Sequence, residues 1–554
     1  EMQRLPPLVL LLGMAAPALG LRIARLHAVP RVTRLTASPV CNAPPGSGVA
    51  ARPVGEQRPL GESPLHKEQF EWTKQWYPVA VPEFLDPTRP HSFTLLGTSI
   101  VLWNDGKSVQ PPKRFGLFTR AKRKQPGKWR AFVDACPHRK VPLSEGRVED
   151  SGELLCSYHA WTFNSEGHCT AIPQAPQEME ESLRANPKAS CQAMPTIEAD
   201  GILWVWPDTS PNAGLEAFAF ETAPAGTDAP DTLRAPSLIP ELHDPSLVGR
   251  VKKLPWNTRE LPYSWDFFCE NVLDPAHVPV SHHGITGNRY TDPKELKLLL
   301  ERPVTTNGGF QYGIYGGVMA GKATNDFRPP SLVRITTDYE GGGKLVLALY
   351  AVPTRPGYCM HHGCQILVKN DDGTFPSGLK AFTLPMPKWL LHITASLFLH
   401  QDAAFVHHQE KILASEGYIA EGGSTGSYNH HVFTPTDSDK GLITFRQWLR
   451  SRAGGGVPWP RGIDPMPPRS RNGEVYDVYN SHVKDCVVCQ SALKNLRMAR
   501  VGAFATSALC VALRPQLGLV GAIGGAAAAA GVGGALGKLI GMFYRFEFSH
   551  ADND

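Results

Sequence analysis

The feature that most constrains this chain is a pair of short runs, Cys136-Pro137-His138 and Cys156-Ser157-Tyr158-His159, separated by seventeen residues. They offer two thiolates and two imidazoles from two neighbouring loops. Two kinds of centre use that donor set. A single zinc ion takes it as a closed tetrahedron. A [2Fe–2S] cluster takes two Cys on one iron and two His on the other, and the imidazoles raise its reduction potential above that of an all-thiolate cluster. Spacing alone does not separate the two.

The flanking residues do. Asp134-Ala135-Cys136-Pro137-His138-Arg139, then Leu143-Ser144-Glu145-Gly146-Arg147, then Tyr158-His159-Ala160-Trp161-Thr162-Phe163 resembles the Rieske domain of ring-hydroxylating-type oxygenases. Respiratory-chain Rieske loops carry an extra cysteine each, paired as a disulfide. Here Arg139 to Pro142 and Ser157 to Trp161 contain none. The resemblance therefore implies a lower-potential [2Fe–2S] cluster held by Cys136, His138, Cys156 and His159 and fed by a ferredoxin or a reductase. A relay of this kind needs an acceptor elsewhere in the chain.

At 554 residues the chain has room for two or three domains. Its formal charge of +5 sits in one place. Residues 1–55 hold Arg4, Arg22, Arg25, Arg31, Arg34 and Arg52 against Glu1 alone, so the remainder is neutral and carries no nucleic-acid footprint. That acid-poor, Arg-, Ala- and Pro-rich segment, 1 to about 60, reads as a cleaved organelle transit peptide. The apolar Leu8 to Leu21 leaves open a signal-peptide step ahead of it. The eleven cysteines are dispersed, which suits a reduced compartment such as a stroma rather than a disulfide scaffold.

The other end is apolar. Leu517 to Gly537 runs without a charge for about 31 Å as a helix, close to a hydrocarbon core of about 30 Å. Val501 to Leu513 is a second apolar run, and Arg514-Pro515-Gln516 reads as the turn between them. Gly521/Gly525 and Gly533/Gly537 have the spacing that lets helices approach closely. A membrane hairpin over 500–540 is expected, with a soluble Ala-rich hairpin as the alternative. Between the ends, strand-like alternation such as Ser99 to Trp103 and Gly201 to Trp206 marks an all-β domain over 70–210. A Pro/Gly/Ala/Thr-rich linker follows, Thr222 to Pro236. Residues 237–470 mix strands and helices, and the fold class expected is α+β.

The acceptor is sought in Asn271-Val272-Leu273-Asp274-Pro275-Ala276-His277-Val278-Pro279-Val280-Ser281-His282. An oxygenase iron needs two imidazoles and one carboxylate on one face, with open positions for O2 and substrate. His277 and His282 supply the imidazoles, and His283 is a rival. Five residues is off the helical i, i+4 face, so His282 is expected beyond a helix end, with Pro279 loosening the turn. Asp274 is expected beside His277, orienting its ring and linking it to a cluster histidine.

Downstream, Pro387-Lys388-Trp389, Gln401-Asp402, Gln409-Glu410, Phe433-Thr434-Pro435-Thr436, Phe445 to Leu449 and Cys169 to Ala175 resemble the pheophorbide a oxygenase family, which includes protochlorophyllide-linked and translocon-associated plastid proteins. The resemblance runs from about Trp72 to the C-terminus. It implies a helix-grip (START-like) catalytic domain, Asp402 as third ligand of a mononuclear Fe(II) with Glu410 as fallback, and a homotrimer in which Asp274 bridges subunits. It also implies reduced ferredoxin as donor, O2 and a tetrapyrrole as substrates, and a plastid membrane. Pheophorbide a leads. Protochlorophyllide, chlorophyllide, a bilin, or a redox-sensing role in protein import are the alternatives.

Cys486-Val487-Val488-Cys489, in the segment 475–495 before the apolar tail, is a C-x-x-C pair. With no second cysteine pair nearby, a closed zinc site is not expected there. A redox dithiol addressed by thioredoxin is the expectation instead.

Overall fold

The computed structural model describes residues 69–109, 123–124, 127–222, 234–317, 322–418 and 428–547. The targeting segment lies outside the described residues, and so do Arg120 and Lys122, which with Arg123 and Lys124 make up a basic run that the sequence offers as a docking patch for ferredoxin.

The N-terminal domain is all-β. Its main four-stranded sheet is built around Thr98–Asn104, which pairs with His91–Leu95 on one side and Trp129–Val133 on the other. Leu96 and Gly97, both at positive φ, form the tight turn of that hairpin, the geometry whose twist matches antiparallel strands. A second four-stranded sheet is made of very short strands: Arg147–Val148, Leu154–Leu155, Thr162–Phe163 and Cys169–Ala171. It packs on the first through Val101, Trp103, Phe132, Leu143, Leu154 and Phe163, and both Cys136 and Cys156 belong to that core.

The following domain is α+β. An eight-stranded antiparallel sheet runs as a meander from Leu296–Thr305 to Tyr358–Val368, with Val251–Lys253 and Asn257–Leu261 both pairing the last strand. Helices α1 (Trp265–Leu273), α3 (Lys388–Ser415) and α4 (Lys440–Arg452) pack against it and each other. In chain order the single turn α2 (Val278–Ser281) follows α1.

Helix α3, 28 residues and about 42 Å long, is unusual in burying polar groups on several faces. His392, Ser396, His400, Gln401, Asp402, His407 and Glu410 are all buried. Each buried polar group needs a partner, and several find one at long range: Ser396 with Arg259, His400 with the Phe546 carbonyl, His407 with the Pro262 carbonyl.

The two domains share one core. Trp72, Tyr77, Leu95 and Leu203 pack in the same cluster as Trp265, Phe327 and Phe445. The Leu96-Gly97 turn donates to the Pro353 and Thr354 carbonyls of the large sheet, at 3.0 and 2.7 Å.

Helices α5 (Val487–Ala512) and α6 (Arg514–Met542) form the C-terminal antiparallel hairpin. The connection lies where the sequence places it. Arg514-Pro515-Gln516 form a single helical turn after Leu513, with Pro515 where its missing N–H costs nothing, and Gly518 at φ +70° breaks the helix before the long run of α6. A Cβ on Gly525 would meet Cys510 Sγ at 2.9 Å, and one on Gly533 would meet Phe504 at 2.9 Å. Small residues are therefore what lets α5 approach. Helix α6 alone, among the described residues, is long and apolar enough to cross a membrane. The hairpin's base is anchored: Trp389 of α3 stacks on Phe543, and the Tyr544 carbonyl accepts from Val478 N–H.

Candidate metal centres

The two cysteine loops are built alike. In each, the Cys N–H donates to a carbonyl five residues on (Val141, Trp161), and the residue four on (Lys140, Ala160) donates back to the Cys carbonyl, all at 2.8–2.9 Å. Lys140 and Ala160 both sit at positive φ, +61° and +58°, a conformation that costs a non-glycine residue energy and persists where the surroundings enforce it. The paired turns put the free thiols of Cys136 and Cys156 together inside and bring His138 and His159 together outside, rings 4.7 Å apart. His138 stacks on Trp161 and Tyr158 leans on His159. Burial pushes the Cys136 thiol up to about 11. Two buried thiols at one end and two near-surface imidazoles at the other fit a [2Fe–2S] cluster.

The second site is assembled by a helix stop. Asp274 ends α1, and its Oδ1 accepts from Ala276 N–H at 2.7 Å. With Pro275 next, the helix cannot continue. The chain re-enters as α2, whose two ends are His277 and His282. The expectation that Pro279 loosens a turn is corrected: it lies in the first turn and starts this helix. His282 does fall past the helix end, as expected.

Across from them Asp402 projects from α3. Its Oδ2 lies 3.2 Å from His282 Nε2 and 3.6 Å from His277 Nε2, and its Oδ1 accepts from Ser281 Oγ at 2.5 Å. His282 Nδ1 faces Gln401 Oε1 at 2.7 Å and its ring stacks on Phe398. That partner fixes the Nδ1–H tautomer and turns the Nε2 lone pair toward the shared centre. Asp274 Oδ2 lies 3.5 Å from His277 Nδ1. Burial disfavours the charged form of His277, but Asp274 and Asp402 outweigh it and raise the ring to about 10. Asp402 is likewise held well below the carboxylate range, its burial outweighed by His277 and His282. Positive charge is thus stabilised where the three side chains meet, which fits a cation.

The rivals lie elsewhere. His283 Nδ1 accepts from Arg289 N–H and its ring meets Tyr290. Glu410 accepts from Ser264 N–H and Lys411 Nζ.

The triad opens into a cavity of about 340 Å³. Phe405, Val406, Val432 and Leu442 supply apolar wall. Its polar end is Glu270, which accepts from Tyr428 Oη at 2.6 Å, Gln409 Nε2 at 3.0 Å and Arg446 Nε at 2.7 Å. A pocket of this size that joins an apolar wall to fixed polar groups suits a small-molecule substrate.

A third constellation lies apart from both. Cys486 caps the N-terminus of α5 and Cys489 follows one turn in. No second cysteine pair joins it, but two histidines do: His392 of α3 and His482 converge on the pair. His392 was missed because it lies ninety residues upstream of His482 in sequence. The local run His482-x3-Cys486-x2-Cys489 was the available signal.

A Rieske [2Fe-2S] domain model matches residues 75–190 and a Pheophorbide a oxygenase model matches residues 327–418. A pheophorbide a oxygenase, chloroplastic, of Oryza sativa subsp. japonica is 31% identical over 84% of this chain and 82% of its own length. The chain belongs to the pheophorbide a oxygenase family of Rieske non-haem iron oxygenases. Family membership makes it an enzyme with a Rieske [2Fe–2S] cluster and a mononuclear iron. Flavonoid 8-hydroxylase 2, chloroplastic, of Ocimum basilicum is 30% identical over 81% of this chain and 78% of the relative. Protochlorophyllide-dependent translocon component 52, chloroplastic, of Arabidopsis thaliana is 28% identical over 78% and 76%. Among solved structures, dicamba monooxygenase bound to dicamba aligns with a TM-score of 0.46 at 17% identity, over 69% of this chain and 97% of that one. His277 and His282 fall between the two matched segments, and His482, Cys486 and Cys489 fall beyond both.

Proposed function

We propose that this chain is a plastid, ferredoxin-dependent monooxygenase of a chlorophyll-derived tetrapyrrole, with pheophorbide a as the leading substrate. The observation that carries it is the His277–His282–Asp402 triad, two of whose members line a cavity with an apolar wall, in a chain of this family. Iron held there would supply the open coordination positions at which O2 and substrate meet. One oxygen atom enters the product and the other leaves as water, with two electrons from reduced ferredoxin and two protons.

The chain's own residues do the positioning. Ser281 and Gln401 fix the Asp402 carboxylate and the His282 ring, and the cavity admits an edge of the macrocycle to that face. The partial exposure of Asp274, 27% of its side chain, supports a role in reaching a cluster histidine of a neighbouring subunit in a trimer. The chloroplastic relatives support the plastid location. Helix α6, with exposed Leu519, Val520 and Ile523, supports insertion of the hairpin in a plastid membrane, where a hydrophobic pigment partitions.

The test is anaerobic reconstitution followed by turnover with pheophorbide a, reduced ferredoxin and labelled O2. One labelled oxygen in a ring-opened product is expected. No product from pheophorbide a, with product from protochlorophyllide or a flavonoid, would overturn the substrate and keep the chemistry.

A further inference from the structure

Cys486, Cys489, His392 and His482 are each under 7% exposed. Their donor atoms all lie within 4.8 Å of one another. His482 Nε2 is 3.2 Å from His392 Nδ1, Cys489 Sγ is 3.3 Å from both of those nitrogens, and Cys486 Sγ is 3.8 Å from His392 Nδ1. A zinc tetrahedron with bonds of about 2.3 Å to sulfur and about 2.05 Å to nitrogen has ligand–ligand edges of about 3.3–3.8 Å. The four atoms already have nearly that shape. Hydrogen bonding explains it less well, since it pairs atoms in donor–acceptor lines, whereas here four lone-pair atoms crowd a common point.

Other uses of the pair fit worse. Thiol–disulfide exchange needs a sulfur that a partner can reach, and Cys486 and Cys489 are 1% and 0% exposed. A [2Fe–2S] cluster would set its cysteines and histidines on different irons, whereas Cys489 Sγ touches both imidazoles here. Two thiolates also neutralise a dication, so the filled site carries no net charge into the core that Phe84 and Phe543 share with it.

We propose that Cys486, Cys489, His392 and His482 bind one structural zinc ion that fastens the C-terminal hairpin to the catalytic domain. The placement gives it that role. His392 stands on α3, ten residues from Asp402 and about 15 Å along the same helix. The cysteines stand at the root of α5, and Phe84 of the Rieske domain packs edge-on to His392 at 4.6 Å. One ion there ties the oxygenase helix to the hairpin's base, with the Rieske domain packed against one of its ligands. All four positions are filled by protein, which marks a structural rather than a catalytic zinc.

The test uses the full-length holoprotein with its Rieske cluster intact. Elemental analysis is expected to give about one zinc per chain, and zinc-edge X-ray absorption a shell of two sulfur and two nitrogen neighbours at about 2.3 and 2.0–2.1 Å. Cys489→Ser and His482→Gln are expected to reduce bound zinc at least about fivefold while the Rieske electron-spin signal remains. The wild-type absorption spectrum stands whether or not either variant folds. Protein from zinc-supplemented cells that holds less than about a tenth of a zinc per chain would overturn the proposal. So would a shell of nitrogen and oxygen only, or iron in zinc's place.

Discussion

Two thiols and two imidazoles occur twice in this chain, and the two sets are arranged differently. Around Cys136, His138, Cys156 and His159 two matching turns hold the cysteines inside and the histidines at the surface. Around His392, His482, Cys486 and Cys489 all four groups are buried and converge on one point. The first arrangement has length and an exposed end, as an electron relay requires. The second is compact and sealed, as a fastener requires. Donor identity does not choose between those roles; spacing and exposure do.

The comparison is broken most severely by swapping what each set supports. Cys136→Ser is expected to abolish the Rieske electron-spin signal and lower turnover by about 10³-fold or more, since electrons then have no entry, with bound zinc unchanged. Loss of zinc together with the cluster would show that the sets are not independent. Asp274→Asn is expected to leave both metal contents intact and lower turnover about 10–100-fold, the usual scale for a group that orients a metal ligand. Single-turnover kinetics should place the loss in oxidation of the reduced cluster.

Removal of zinc from the second set by a strong chelator is expected to leave the Rieske spectrum in place. It should lower the melting temperature by about 5–15 °C, at ~2–4 °C per kcal/mol for a domain of this size, read by scanning calorimetry. A further effect, read at acid pH alone, concerns neither set. His361 and His362 are buried in the large sheet, and burial pushes them down to about 4 and about 3. Their folded values lie below the unfolded value of about 6.5, so the unfolded chain binds more protons as the solution is acidified. Stability is thus fully present above about pH 6.5 and falls toward pH 4 by about 1.4 kcal/mol per unit for each histidine. Urea melts at several pH values check the slope, and a flat profile would contradict it.

What was legible in the sequence had short range. C-x-H and C-x2-H lie on single loops, and the Asp274-to-His282 run lies on one helix stop, so spacing along the chain carried their geometry. Asp402 was reached by resemblance, because no local pattern ties it to histidines more than a hundred residues earlier. His392 was out of reach for a similar reason: α3 places it by packing on the sheet, and His482 meets it only once the chain has crossed the whole α4 region.

The sequence by itself determined the Rieske loops, the family and the apolar tail, because each is written in contiguous residues whose chemistry acts over a few ångströms of chain. Only the tertiary structure decided that His282 rather than His283 faces Asp402, and that the C-x-x-C pair has two histidines as neighbours. Those outcomes depend on where a buried 28-residue helix lies against a sheet, and side-chain packing, not sequence spacing, sets that position.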